Sequence, residues 1–247
     1  MAQFNIEIAQ TVFAVRSLFE STKDYCRNYL TEKEPDFTVE VFPEDLISEQ
    51  QALDVEAAEE GLKRRKFTDP FLERTVIQRK VAACLLHRNT LLFHGSGLSL
   101  DGQGYLFTAA KCGTGKSTHT RFWRQVFGDR VKMVNDDKPF LHLTESGVTM
   151  YGAPWSGKHG LDTNVAVPLR GICLLQRGPE NRIEKISPEE ALPMLLHQAF
   201  LPGDDSGLPV LKELTEALCR KTTLWKMECI NDPSAAEISA GEMACIK

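Results

Sequence analysis

Residues 105–127 constrain the architecture of this chain more than any other stretch. Tyr105-Leu106-Phe107-Thr108 reads as a short apolar strand and Ser117 to Phe127 as a helix. Between them runs Ala110-Lys111-Cys112-Gly113-Thr114-Gly115-Lys116-Ser117. A strand that passes into a helix through a Gly-rich loop belongs to an α/β layer, in which the helix packs back on the sheet. Such a loop points successive amide hydrogens into one concavity, and the helix start adds its positive end there. The run matches Gly-x4-Gly-Lys-Ser, except that Ala110 replaces the first Gly. Lys111, Cys112, Gly113, Thr114, Gly115, Lys116, Ser117 and Thr118 are therefore the expected phosphate-binding residues. Lys116 would reach the outer phosphates, and the Ser117 hydroxyl would take one position on Mg²⁺.

Val131-Lys132-Met133-Val134 reads as a strand ending in Asn135-Asp136-Asp137. Ligands of open α/β sheets gather at the carboxyl ends of strands, so these acids can meet the phosphate loop. One carboxylate there can hold Mg²⁺ and the other can take a proton from an attacking hydroxyl. An Asx-rich turn before Lys138-Pro139 is the plainer account, and both can hold together. His94 ends the strand Thr90 to Gly95, where it either supports a carboxylate or satisfies a strand-end hydrogen bond. Residues 152–164 form a Gly-rich loop carrying Trp155, Lys158 and His159, read as a candidate substrate loop beside the simpler reading of a surface loop. Arg170, Arg177 and Arg182 are further cations without a motif. His119 and Arg121 are expected to face solvent from the helix after the loop.

Elsewhere, Phe4 to Val15 partly alternates and reads as a strand, Leu18 to Leu30 as a helix, and Phe37 to Phe42 as a strand. Residues 44–66 read as an exposed helix or connector, and Phe71 to His87 as a helix opened by Asp69-Pro70. Asp101-Gly102 between Leu98-Ser99-Leu100 and Tyr105 to Thr108 signals a hairpin. Phe140 to Leu143, Val148 to Tyr151 and Gly171 to Leu175 read as strands. Ser187-Pro188-Glu189-Glu190 caps a helix, helical character lasts to about Arg220, and Leu224 to Ile230 suits a last strand.

The net charge of -5 argues against a general nucleic-acid binder. Lys63-Arg64-Arg65-Lys66 is read as a solvated run. No stretch approaches the roughly 20 apolar residues of a membrane span, which argues against a membrane partner. The N-terminus lacks a secretory pattern. Seven cysteines scattered without a CxxC pair suit reduced thiols, hence a cytoplasmic location, better than disulfides or a zinc site.

The order Leu92-Phe93-His94-Gly95, hairpin, phosphate loop, Val134-Asn135-Asp136-Asp137 resembles the catalytic core of the HPr kinase/phosphorylase family, which shares its P-loop core with the phosphoenolpyruvate carboxykinases. The resemblance spans about residues 90–180. It implies an α/β (α+β, mixed-sheet) P-loop kinase-like domain over 67–247 with an N-terminal α+β extension over 1–66 packed on it. It implies ATP or another nucleoside triphosphate and Mg²⁺, with Lys116 on phosphate, Ser117 and Asp137 on the metal, Asp136 as general base and His94 supporting that base. Leu169-Arg170-Gly171 is similar to the family's Arg-Gly strand, but Pro168 stands where an acid would. The N-terminal 65 residues do not resemble the family's regulatory domain, and the loop around Trp155 is not part of its HPr-recognition pattern. The expectation is thus a kinase acting on a hydroxyl-bearing peptide or small molecule other than HPr, with homo-oligomerisation left open. A carboxykinase-like enzyme using His94, Lys158 and His159 at a second metal, or a nucleotide-gated binding protein without turnover, are the alternatives. A GTPase switch is disfavoured by the lack of Asn-Lys-x-Asp.

Overall fold

The computed structural model describes residues 1–59, 61, 63–110, 113–201 and 205–245. By contact density the chain divides into two compact units, Met1–Cys84 and Leu85–Lys247. That division falls beyond the 66/67 boundary expected from the sequence, because the helix Asp69–Leu86 lies almost wholly in the first unit.

In the first unit β1 (Ala2–Ile8) and β2 (Thr11–Ser17) pair antiparallel, and β3 (Phe37–Glu40) lies parallel to β2. The single strand expected over Phe4 to Val15 is therefore a hairpin. Its turn is made by Ala9 and Gln10 at φ 47° and 63°, residues that carry no turn signature. The helix expected over Leu18 to Leu30 shrinks to α1 (Glu20–Tyr25) and a 3-10 turn, Arg27–Tyr29. Residues 44–66 prove to be mostly helix, α2 (Pro43–Glu59), and α3 follows over Asp69–Leu86. Buried Glu73 of α3 accepts hydrogen bonds from the Leu18 amide and the Thr22 hydroxyl, fixing the start of α1. Lys80 ties α3 to Asp45 at 2.7 Å and to the Glu40 carbonyl at 2.8 Å. Lys63, Arg64, Arg65 and Lys66 are exposed.

The second unit carries a curled mixed sheet. Its path is β4 (Thr90–Leu92), β8 (Phe140–Thr144), β9 (Gly147–Tyr151), β10 (Ala166–Arg177), β6 (Gln103–Thr108), β5 (Ser96–Leu100) and β7 (Val131–Asn135). β12 (Thr223–Cys229) joins the other side of β10, and β11 (Arg182–Lys185) pairs with β12. β10 is where the sheet changes character. Its start, Ala166–Pro168, pairs antiparallel with β9, parallel pairing with β6 begins at Leu169, and past an irregularity at Arg170 it runs parallel to both β6 and β12. Gly171 at that point admits no side chain, since a Cβ would lie 2.2 Å from the Trp225 ring and 2.4 Å from the Thr223 carbonyl oxygen. The Arg-Gly pair singled out in the sequence is thus a strand-switching device here.

Four helices of this unit, α4 (Lys116–Phe127), α5 (Pro188–Gln198), α6 (Leu208–Lys221) and α7 (Ser234–Met243), cover the two sheet faces. α4 and α7 share one core with Tyr105, Phe107, Cys173 and Leu175. α5 and α6 share the other with Leu106, Ile172 and Leu174. Alternate residues of β6 and β10 thus enter opposite cores, which is why both read as unbroken apolar runs. α7 and β11 had no clear sequence signal: α7 buries mainly Ala235, Ala236, Ser239 and Ala240, and β11 has one apolar residue, Ile183. No helix among the described residues is long and apolar enough to cross a membrane. Cys173, Cys219, Cys229 and Cys245 form no disulfide among the described residues.

His119 does not face solvent. It is buried on α4 against Phe107, with ring centroids 4.6 Å apart. Its Nε2 accepts from the Trp123 indole N–H at 3.2 Å, and that N–H also reaches Ser239 Oγ of α7 at 2.9 Å. Burial pushes the His119 imidazole down to about 3. Because its native value lies below the unfolded one, this residue's contribution to stability is complete above about pH 6.5 and is lost as pH falls toward about 3. Lowering pH from 7 to 5 should cost about 2 kcal/mol through this residue, at about 1.4 kcal/mol per unit below the unfolded value. Urea titrations at the two pH values should show that loss in the native protein, with a flatter dependence in His119→Gln.

Candidate functional site

Because β5 is antiparallel to both β6 and β7, and β10 and β12 are parallel to β6, four strands point the same way: β6, β7, β10 and β12. Their carboxyl ends deliver the Gly-rich loop, Asn135-Asp136-Asp137, Arg177-Gly178 and Ile230-Asn231 to one edge. The start of β5, with His94 just before it, lies at the same edge. Long-range topology therefore gathers the groups that the sequence presents separately.

Within the loop, Gly113 and Gly115 have φ of 77° and 123°, and beyond their chain neighbours no atom of the described residues lies within 4 Å of where a Cβ would stand on either. Open space over left-handed glycines is what a bound phosphate requires. Ala110 is not in a positive-φ conformation, so its methyl group is compatible with the position usually held by Gly. Lys111 and Cys112 lie outside the described residues. α4 opens at Lys116 with Gly115 as its N-cap. Lys116 is buried, and its charge acts on Asp137. Ser117 stands on the first turn of α4, and Thr118 lines a cleft of about 500 Å³ together with Thr114, Gly115, Phe122, Arg177 and Ile230. A second cleft, of about 470 Å³, runs beside Ala110, Gly113 and Thr114 toward Met194 and Lys226.

Arg177, at the end of β10, donates from Nη2 to the Gly113 carbonyl at 2.7 Å and borders both clefts. Of the three arginines without a motif, it alone touches the loop among the described residues. Arg170 acts on Tyr105, and Arg182 pairs with Glu184 at 3.6 Å.

The two acids occupy different surroundings. Asp136 is buried: Oδ1 accepts from the Gly157 amide at 2.6 Å, while Oδ2 has no hydrogen-bond partner among the described residues. Burial raises the Asp136 carboxyl above its ordinary value, the Gly157 amide opposes this, and the Asp137 charge adds to the rise. Burial also pushes Asp137 upward, but the His94 hydrogen bond and the charges of Lys138, His94 and Lys116 outweigh it and hold Asp137 below the usual range. Neighbouring carboxylates displaced in opposite directions are the pattern of a proton acceptor beside a permanent anion. His94 Nε2 stands 3.5 Å from Asp137 Oδ1, so the imidazole supports Asp137 and not Asp136 as expected. The His94 backbone is fixed by its amide to the Gln198 carbonyl at 2.9 Å and by Thr108 Oγ1 to its own carbonyl at 2.9 Å.

Asn135 organises the acid pair, and the sequence assigned it no role. It is fully buried, and its Oδ1 accepts from the amides of Asp137 at 2.9 Å and Lys138 at 2.7 Å. Its Nδ2 donates to the carbonyls of Ala153 at 2.9 Å and Trp155 at 3.2 Å. One amide thus shapes the acidic turn and docks the 152–164 loop beside it. Trp155, expected to face substrate with Lys158 and His159, is instead buried against Phe140 at 6.3 Å. Lys158 and His159 are exposed at the tip, and the charge of His159 acts on Asp136.

No family model matches the chain, and no curated protein matches it. Among solved structures, the HPr(Ser) kinase/phosphatase from Coxiella burnetii aligns at 17% identity and a TM-score of 0.27, covering 52% of this chain and 88% of that one. A similarity this low does not establish family membership.

Asn135→Ala removes four buried hydrogen bonds to backbone groups, and stranded buried polar groups cost about 1–3 kcal/mol each. With partial relaxation the loss should be about 3–5 kcal/mol, read as a lower urea midpoint. Asn135→Asp keeps the accepting oxygen but sets an anionic oxygen against the Ala153 and Trp155 carbonyls beside two carboxylates, so it should lose at least as much.

Proposed function

We propose that the second unit binds a nucleoside triphosphate with Mg²⁺ and transfers its terminal phosphoryl group to a hydroxyl, serine-like, on a peptide or small molecule other than HPr. The observation that carries this reading is the opening of the Gly-rich loop and of α4, at Lys116, on the same sheet edge as the acid pair at the end of β7, where the Lys116 charge acts on Asp137. A lysine on a Gly-rich loop beside two unlike carboxylates is the minimum equipment for in-line phosphoryl transfer.

The residues present fit these ligands. Left-handed Gly113 and Gly115 leave room over the loop, and Asp136 has an unpartnered buried oxygen. Among the described residues no group of three or more His, Cys, Asp or Glu side chains could hold a metal ion alone. Mg²⁺ bound in such a site uses one or two protein ligands and completes its shell with phosphate and water. Ser117 and Asp137 would supply those two. A bound nucleoside triphosphate supplies the phosphoryl group, whose phosphorus bonds to the acceptor oxygen as its bridging P–O bond to the departing nucleoside diphosphate breaks.

The protein's part is positioning and proton handling. Gly113, Thr114, Gly115 and Thr118 line the phosphate side, and Lys116 offsets negative charge there. Arg177 holds the loop through Gly113. Asp136 Oδ2 takes the proton released by the acceptor hydroxyl, while His94 keeps Asp137 oriented and ionised. Oδ2 is sealed from solvent, so the acceptor reaches it when the turn at Gly157 shifts.

Asp136→Asn should lower the transfer rate about 10²- to 10⁴-fold, the usual worth of a general base, with nucleotide affinity unchanged. Lys116→Ala should instead weaken nucleotide binding roughly tenfold or more, in keeping with a charge-assisted contact. Isothermal titration with a non-hydrolysable ATP analogue, paired with transfer assays over a panel of hydroxyl compounds, separates the two. Full transfer by Asp136→Asn with nucleotide still bound would remove Asp136 from the role of base. Tight nucleotide binding without turnover toward any acceptor would favour a nucleotide-gated binding protein.

A further inference from the structure

The tip of the 152–164 loop is a tight turn, with the Gly160 amide donating to the Gly157 carbonyl at 3.0 Å. It sits directly on the acid pair. Beyond the Gly157 amide on Asp136, a Cβ at Gly157 would lie 3.2 Å from the Asp137 Cβ and 3.3 Å from Asp136 Oδ2. Its base is held at several points. Asn135 grips Ala153 and Trp155, Trp155 is sunk in the core, and Ser156 Oγ donates to Asp162 at 2.9 Å. The Thr163 amide donates to Val134 at 3.1 Å, and Gly152 packs so closely on Thr163 that a Cβ would overlap its carbonyl oxygen at 1.9 Å.

On this well-anchored support Lys158 and His159 are exposed, and neither forms a hydrogen bond or ion pair among the described residues. The charge of His159 acts on Asp136, yet neither side chain closes an ion pair with the acids among the described residues. In sheet order the acids end β7 and the phosphate loop follows β6, with β5 between them and Arg177 on β10 beyond, while the turn belongs to the β9–β10 connection and meets the acids beside β7. Donor phosphates have Lys116 and the loop amides. Any acceptor that approaches Asp136 must pass the turn, and an anionic acceptor would be repelled by the acids unless cations met it there.

We infer that the Gly157–Gly160 turn is the acceptor-recognition element, and that Lys158 and His159 select hydroxyl compounds bearing a carboxylate close to the reacting hydroxyl. The inference rests on the phosphotransferase reading and narrows its acceptor to an acidic class. That carboxylate can belong to a small hydroxy acid or to an acidic residue flanking a peptide serine. Nucleotide contact is not assigned to the turn.

Matched acceptor pairs test this in the full chain. L-serine is compared with L-serinamide, and serine peptides flanked by Glu with the same peptides flanked by Gln. Transfer from labelled ATP should favour the acidic member of at least one pair by about tenfold or more in kcat/KM, roughly the effect of one well-placed charge. The pair that shows it identifies the source of the carboxylate. Lys158→Met/His159→Gln should abolish the preference through KM while leaving the affinity for the ATP analogue within about twofold, as for a contact made by the acceptor alone. Equal use of acidic and neutral partners would overturn the inference, as would a double substitution that weakens nucleotide binding in place of acceptor preference. If no compound is phosphorylated, saturation-transfer NMR of the same pairs with the analogue bound still decides. Selective binding of the acidic members that is lost in the double variant upholds recognition while the transferase reading fails, and unselective binding overturns recognition itself.

Discussion

Everything at the candidate site depends on β6, β7, β10 and β12 running in one direction. Parallel strands bring chemically unlike segments, far apart in sequence, to a common edge, and they do so only when both faces of the sheet are covered. Here α4 and α7 bury one face and α5 and α6 the other. Each large apolar side chain buried in those cores contributes about 1.5–3 kcal/mol. The irregularity at Arg170 and the contact at Gly171 then let a single long strand leave the antiparallel half of the sheet and enter the parallel half.

The electrostatics follow from that placement. Two adjacent carboxylates would normally share one environment and repel each other. The turn shaped by Asn135 sends Asp136 inward beneath Gly157 and Asp137 toward His94 and Lys116. Burial therefore dominates one acid and positive charge the other. Leaving an oxygen of Asp136 without a partner is a cost that the rest of the fold must carry, and such costs concentrate where proteins do chemistry.

What could be read in the sequence was local. The strand, loop and helix over 105–127 have strong short-range signals, and Asp101-Gly102 adopts the two left-handed conformations that a tight hairpin asks for, at φ 51° and 81°. Ala9-Gln10 makes a comparable turn with residues that give no warning. α7 escaped notice because a face of Ala and Ser has little hydrophobic contrast, although it packs on α4. At the site, residue types and strand ends marked Lys116, Asp136 and Asp137. The pairing of His94 with Asp137, the four bonds of Asn135 and the hold of Arg177 on Gly113 were not legible, since each joins segments whose proximity arises from topology. Trp155 misled for the same reason: its flexible sequence neighbours suggest an open loop, while Phe140 and Asn135 draw it inside in space.

The burial of Trp123, Trp155 and Trp225 has a spectroscopic side. All three tryptophans of the chain belong to the second unit, at α4, at the loop beside the acids, and on the strand beside Gly171. The first unit has tyrosines, Tyr25 and Tyr29, and no tryptophan. Indole emission is consequently a private signal of the unit that holds the candidate site, blind to melting of residues 1–84, whereas far-ultraviolet dichroism sums over both. Overlaying the two signals along one denaturation curve would show whether the units melt together or in sequence, without cutting the chain between them.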